Sequence, residues 1–525
     1  MKKTSFIFFI FVGLSFFLGR YLLHSDLFLF THDHTHFARL YLLEKTLLSG
    51  QIPAIWADLT NHGFGYPLFH FYAPLFYYLA LIIHWFSFSS LSLALNLTVI
   101  FSLILGSWGV FRLLKPFGYS LAFLGASAYL SLPYLALDIY VRGAYAELLA
   151  LALLPWLVQV WFNFKATKKD FLFLVIITTL FLLSHNLIPY LVLPLVVTWA
   201  LLLKPNFYRQ YGLGLLLSFA LGSFYFLPLI FELHFTQTLT RAAGTHFQDH
   251  FVYLHQLWNS VWNYGASVPG PNDGMSFKLG KLHLILAFLG LIGLIRKRYL
   301  SQKLWWAFFG ILFFISLFFS LSFSQPFWYL IKPLQYLQFP WRFLGLASFA
   351  LAILTAASLL LFPRRFRPIL TLVFSLLLFG LNLKYFHPNP VSPYLSAKAQ
   401  LQSNYIVDHL ADEVPEYQPY WFHLPPANSF QFPHFQSYFN HLSLTLHLDH
   451  GQTIVLPKAY YPTWRLLVNH QSHDYKPNQY GLISFFLEPG DYTIELYQTH
   501  TSLEIVASFI SLFTLLWLIV YVRKK

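Results

Sequence analysis

The run FYAPLFYYLALIIHWF, residues 71–86, decides how the chain is threaded. It is apolar enough for a membrane and dense in Phe, Tyr and Trp, and whether it crosses sets the side on which every later segment falls. Other apolar stretches able to cross ~30 Å of hydrocarbon at ~1.5 Å per residue lie near residues 5–24, 92–112, 118–136, 147–164, 171–187, 188–203, 211–230, 281–295, 304–322, 341–362, 367–384 and 503–521. The basic residues arbitrate. Lys2/Lys3, Arg112/Lys115, Lys165/Lys168/Lys169, Lys204/Arg209, Arg296/Lys297/Arg298/Lys303, Arg364/Arg365/Arg367 and Arg523/Lys524/Lys525 share one side only if 72–88 does not cross. That side then holds nineteen of the 33 Lys and Arg residues but, of the 20 acids, only Asp170. An excess of Lys and Arg marks the cytoplasmic face. The pattern therefore predicts about twelve transmembrane helices, both termini cytoplasmic, and 72–88 as an interfacial or re-entrant helix on the outer face.

Composition agrees. Of 525 residues, 57% are hydrophobic and 10% charged, against about 25% charged in soluble proteins. The expected class is a polytopic α-helical membrane protein of the cell membrane. Its net charge of +13 belongs to the sidedness of its loops and implies no nucleic-acid partner. With Cys absent, disulfides, thiolate chemistry and Cys-ligated metals are excluded. No small-residue cleavage site follows the apolar run after Lys3, so that run is expected to stay as the first helix.

Three outer regions are large: 25–91, 231–280 and 385–502. The last alternates apolar and polar residues in LSLTLHLDHG, TIVLPKAYYPTWRLLVN, YGLISFFLEPG and DYTIELYQT, with turn residues at Asp449-His450-Gly451 and Pro489-Gly490-Asp491. Period-two patterning between turns predicts antiparallel strands and a small β-sandwich. The expected domains are 1–384 in the membrane with outer loop 25–91, the β-rich 385–502, and 503–525 as a last helix with a basic tail.

Asp33 sits past the outer end of the first helix among His32, His34 and His36, ahead of an amphipathic stretch that Gly50 should end. It reads either as that helix's N-cap or as a catalytic or divalent-metal residue, with His34 and His36 as the companion ligands. Arg142 and Glu147 lie at the outer end of a span, where an ionisable side chain is paired or lines a cavity. Arg342, at the outer end of another, can stack on Trp341, anchor to lipid or bind an anion. His185, in a tight turn, can bond free backbone groups of the adjoining helix ends.

These residues fall in ordered motifs: His32-Asp33, Gly50, Pro53, Trp56, Gly63-Phe64-Gly65-Tyr66-Pro67, Phe71-Tyr72-Ala73-Pro74-Leu75, Tyr140-Val141-Arg142-Gly143-Ala144-Tyr145-Ala146-Glu147, Ser184-His185-Asn186 and Phe339-Pro340-Trp341-Arg342-Phe343. In this order the sequence resembles the bacterial membrane proteins of the 6-pyruvoyl-tetrahydropterin synthase-related family. The arrangement is also similar to the GT-C glycosyltransferases, which move a sugar from a polyprenyl-phosphate carrier on the outer face of a membrane. That resemblance implies Asp33 as general base or metal ligand. Arg142 and Glu147 read either as a structural pair, with snorkelling to headgroups, or as a phosphate grip that Glu147 orients, with Arg342 and His185 as further substrate-binding candidates. The resemblance further implies a lipid-linked sugar and an envelope glycan or glycolipid as partners. Asp33 is followed by His34 where those enzymes often carry a second acid, so a divalent metal stays open as a cofactor. Two other classes compete. A transporter or flippase for lipid-linked saccharides would need charged residues along a through-route, which are scarce; a non-catalytic envelope-assembly scaffold conflicts with no motif.

Overall fold

In the computed structural model the described residues are 2–238, 246–296, 300–402, 405–408, 417–426, 430 and 436–523. Lys297, Arg298, Lys524 and Lys525 of the basic clusters lie outside them. Each of the twelve apolar stretches contains helix. Among the described residues, seven helices are long and apolar enough to cross a membrane: Leu91–Phe117, Tyr119–Arg142, Tyr145–Phe162, Lys303–Ser320, Pro340–Leu361, Arg364–Tyr385 and Ser502–Arg523. The others are shorter or interrupted. Lys2–Leu18 has 17 residues, Lys168–Ser184 has 17 and Lys281–Arg296 has 16. The stretch expected at 211–230 is two helices, Tyr208–Leu221 and Ser223–Phe231, meeting at Gly222. The Ile188–Leu203 helix joins its neighbour at a 117° bend. Leu75–Ser87 spans 13 residues, well short of the ~20 that a crossing requires.

Small residues set the helix spacing, because lipid offers no hydrophobic drive for helices to associate and close van der Waals packing must supply it. A Cβ on Gly290 would meet the Leu354 carbonyl oxygen at 2.1 Å, and one on Gly106 would meet the Tyr129 ring at 2.5 Å. The innermost helices are Tyr119–Arg142 and Pro340–Leu361, buried over 89% of their apolar windows, whereas Ser502–Arg523 is buried over 17% and faces outward.

The β-rich region has two antiparallel sheets among the described residues. One runs Gln436–Tyr438, His441–Leu448, Gly490–Gln498, Trp464–Val468, Gln471–Ser472 in spatial order; the other runs Gln452–Ala459, Leu482–Leu487, Lys476–Pro477. Alternate residues such as Leu442, Leu444, Leu466, Ile494 and Leu496 meet Leu456, Leu482 and Phe485 in one core. The sandwich does not close on itself, because Trp56 and Phe64 of loop 25–91 complete that core. Lys458 also reaches into the loop, with Nζ 2.7 Å from Asp58 Oδ1 and both residues buried. Upstream, Tyr394–Ser396 pairs antiparallel with Leu27–Leu29. Loop 25–91 and residues 385–502 thus share a core, a buried ion pair and a strand pairing.

Candidate functional site

The site begins with a backbone splice. The His32 and Asp33 amides donate to the carbonyls of Val141 and Arg142, each at 2.9 Å, which fastens loop 25–91 to the end of a central helix. Gly143 permits this approach: its φ is +68°, and a Cβ there would lie 2.3 Å from Thr31 Oγ1 and 2.7 Å from the Asp33 carbonyl oxygen. A side chain at Gly143 would clash and occupy a strained backbone region.

Asp33 is not the N-cap of the His36–Leu48 helix. Thr35 holds that position, without a side-chain cap bond. The Asp33 carboxylate instead accepts from Thr35 Oγ1 at 2.7 Å and from the Arg39 guanidinium at 3.2 Å. Burial would push the Asp33 carboxyl up, but Arg39, His36 and Thr35 outweigh it and hold it well below the usual carboxylate range. Arg39 lies against the Tyr72 ring at 4.5 Å and donates to Tyr77 Oη at 3.3 Å.

The set Asp33, His34 and His36 does not converge as metal ligands. His36 Nε2 donates to the Gly143 carbonyl at 2.5 Å and its Nδ1 accepts from Tyr77 Oη at 2.7 Å, so both ring nitrogens are engaged. His34 Nδ1 lies 3.2 Å from the Thr31 carbonyl oxygen.

Arg142 is almost fully paired. It bonds Asp138 Oδ1 at 2.5 Å, Glu147 Oε2 at 2.8 Å and Tyr134 Oη at 3.1 Å, while Tyr134 donates to Glu147 Oε1 at 2.6 Å. Its guanidinium also stacks on Trp341 at 4.4 Å. Two carboxylates around one cation leave Arg142 little capacity for a further anion. Arg342 differs: it donates to the Leu337 carbonyl at 3.1 Å and lies 5.1 Å from the Phe339 ring, and its buried Nε has no hydrogen-bond partner. An unsatisfied guanidinium donor suits an anionic ligand.

His185 Nδ1 accepts the Leu187 and Ile188 amides at 3.0 and 3.1 Å, satisfying free donors at the start of the Ile188–Leu203 helix. The ring proton is then on Nε2. Burial lowers this imidazole to about 4, with Arg342 and Arg142 acting in the same direction and Glu147 opposing them. His185 is therefore a neutral donor at physiological pH.

Asp33, Arg142, Glu147, His185 and Arg342 all line one cavity of about 990 Å³. Leu229, Leu233, Met275, Phe339 and Trp341 give it apolar walls, and His32, Arg39 and Tyr72 complete the polar end. Sequence reasoning missed Arg39 and Asp138. Asp138 stands four residues before Arg142, a helical ion-pair spacing that was readable; Arg39 looked like an ordinary polar position of an amphipathic helix.

Residues 69–386 match the family described as "6-pyruvoyl-tetrahydropterin synthase related domain; membrane protein". The chain belongs to this family. The part shared with the 6-pyruvoyl-tetrahydropterin synthase-related family contains Arg142, Glu147, His185 and Arg342, while Asp33 precedes it. No curated protein matches this family member. Among solved structures it is similar to the arabinofuranosyltransferase AftD from Mycobacteria at 12% identity and a TM-score of 0.43. That match covers 73% of this chain and 26% of the other, so the chain spans about a quarter of that protein's length. At this TM-score the likeness carries no statement about fold or chemistry.

Proposed function

We propose that the chain is a membrane glycosyltransferase of GT-C type, moving a sugar from a polyprenyl-phosphate donor to a cell-envelope acceptor on the outer face. The observation that carries this reading is the convergence of Asp33 and Arg342 on one large cavity with apolar walls. A carboxylate and a guanidinium with an unsatisfied donor are the two groups an inverting displacement needs. The acceptor hydroxyl attacks the anomeric carbon, its proton passes to Asp33, and the bond to the donor phosphate breaks with the charge going to Arg342. Arg39 keeps Asp33 ionised, so that its carboxylate is free to take the hydroxyl proton as the new bond forms. Arg142, held by Asp138 and Glu147, forms the wall behind the phosphate, and His185 offers Nε2–H to a donor oxygen. Apolar walls at Phe339 and Trp341 suit the first units of a polyprenyl chain.

Comparison of envelope glycans between strains carrying the native chain and Asp33→Asn tests this. Asn keeps the size of Asp but cannot take the proton, so product should fall ~10²–10⁴-fold with the protein still inserted. Unchanged glycan in the Asp33→Asn strain would overturn the reading.

A further inference from the structure

Away from this cavity, three buried side chains from distant parts of the chain meet: His70 in the Leu68–Phe71 helix, Glu232 after the Ser223–Phe231 helix, and Glu504 in the first turn of Ser502–Arg523. One ligand-capable atom of each lies within 4.8 Å of the other two, the one such group among the described residues. The proposed transfer reaction uses none of them.

Their bonding sets one imidazole between two carboxylates. His70 Nε2 lies 2.7 Å from Glu232 Oε2, a charge-assisted hydrogen-bond length, so Nε2 carries a proton and donates it. The Nδ1 lone pair of the same ring then faces Glu504 Oε1 at 3.3 Å. Two acceptors placed so repel each other. A second ring proton would relieve this through a hydrogen bond, but the buried Glu504 Oε1 has no hydrogen-bond partner. The separation also exceeds the ~2.7–2.9 Å of an N⁺–H···O⁻ bond. It matches the spacing of about 3.3 Å between two ligands that each sit ~2.0–2.1 Å from one tetrahedral ion.

The other carboxylate oxygens are committed. Glu504 Oε2 accepts from the Thr501 amide and lies close to His500 Nδ1, both at 3.0 Å, and Glu232 Oε1 accepts from Thr501 Oγ1 at 2.7 Å. A cavity of about 20 Å³ adjoins His70 and Glu504, enough for one small ion or water. The geometry points to a structural divalent-metal site in which His70 Nδ1 and Glu504 Oε1 ligate a borderline first-row ion, Zn²⁺ above all. Glu232 orients the imidazole from its far edge, as carboxylates commonly do for metal-bound histidines.

Such an ion pins the last helix to the first outer loop. Phe71, next to His70, accepts from Asn186 Nδ2 and Tyr225 Oη, both at 2.9 Å, and Tyr72 carries Arg39 in the neighbouring cavity. The test is the metal content of the purified full-length chain in nanodiscs, stripped with EDTA, dialysed against Zn²⁺ and analysed by elemental spectrometry, with thermal unfolding measured in parallel. Close to one equivalent of Zn²⁺ should be retained, and the unfolding temperature should rise on Zn²⁺ addition and fall again with EDTA. Glu504→Gln and His70→Asn should lose both the metal and the response, while Asp33→Asn keeps both. A native chain that binds neither Zn²⁺ nor Mn²⁺, or Glu504→Gln and His70→Asn proteins that bind as much as the native one, would overturn the site. If neither variant folds, the native chain's zinc content and EDTA response decide. A chain that holds zinc but transfers no sugar contradicts the proposed function alone.

Discussion

Arg39 is the residue whose removal says most about Asp33. It counteracts the burial that would otherwise push the Asp33 carboxyl up, so Arg39→Gln should raise it toward or above the ordinary ~3.9 of an aspartate. Activity requires the ionised form. If the proposed transfer holds, the native chain should therefore lose no activity through Asp33 protonation above about pH 4, whereas the acid limb of the Arg39→Gln profile should move to higher pH. An unshifted limb would show that Arg39 does not set the charge of Asp33. His185 gives a second pH effect. Its imidazole is lowered to about 4, so the unfolded chain binds its proton first as pH falls. The stability it contributes is complete above about pH 6.5 and is lost toward pH 4, which His185→Asn, followed by thermal unfolding across that range, should flatten. The sequence made Asp33, Arg142, Glu147, His185 and Arg342 visible because ionisable side chains at the edges of apolar runs stand out energetically. It could not apportion them. That Arg142 is consumed by Asp138 and Glu147 while Arg342 keeps an unsatisfied Nε depends on side-chain directions.

The elements sort by how local their causes are. The strands were legible from alternation, since one face of each meets the core. That Leu75–Ser87 is a helix was legible from its apolar run, whereas its expected place on one face rests on charge parity across the whole chain. The break at Gly222 and the pairing of Leu27–Leu29 with Tyr394–Ser396 were not, because tertiary contacts far apart in sequence fix them. The same holds for Lys458 and Asp58, a buried pair joining sandwich to loop. Lys458→Met leaves Asp58 buried without its cation and should destabilise the sandwich–loop junction by about 3–5 kcal/mol, seen as earlier unfolding or faster proteolysis of residues 385–502. The double variant Asp58→Leu with Lys458→Met should recover most of that loss, because two well-packed apolar groups replace a pair that was costly to desolvate. No recovery would show that the pair does more than neutralise itself.

For the whole molecule, the topology we propose from charge parity has both termini and the basic clusters in the cytoplasm, with the cavity and the sandwich outside. A chain without cysteine allows a direct check: single cysteines at Ser87 and Ser392 should react with an impermeant reagent in intact cells, and one at Arg364 only after the membrane is breached. Labelling of Ser87→Cys from the cytoplasm alone would turn Leu75–Ser87 into a crossing helix. The central claim, that Asp33 and Arg342 frame a sugar-transfer site, is tested most directly by polyprenyl phosphate release from a polyprenyl-phosphate sugar by the purified chain in nanodiscs supplied with acceptor. The account predicts release by the native chain, a ~10²–10⁴-fold drop in Asp33→Asn with donor still bound, and weakened donor binding in Arg342→Ala. Equal release by the native chain and Asp33→Asn, or intact donor carried across a bilayer without release, would contradict it.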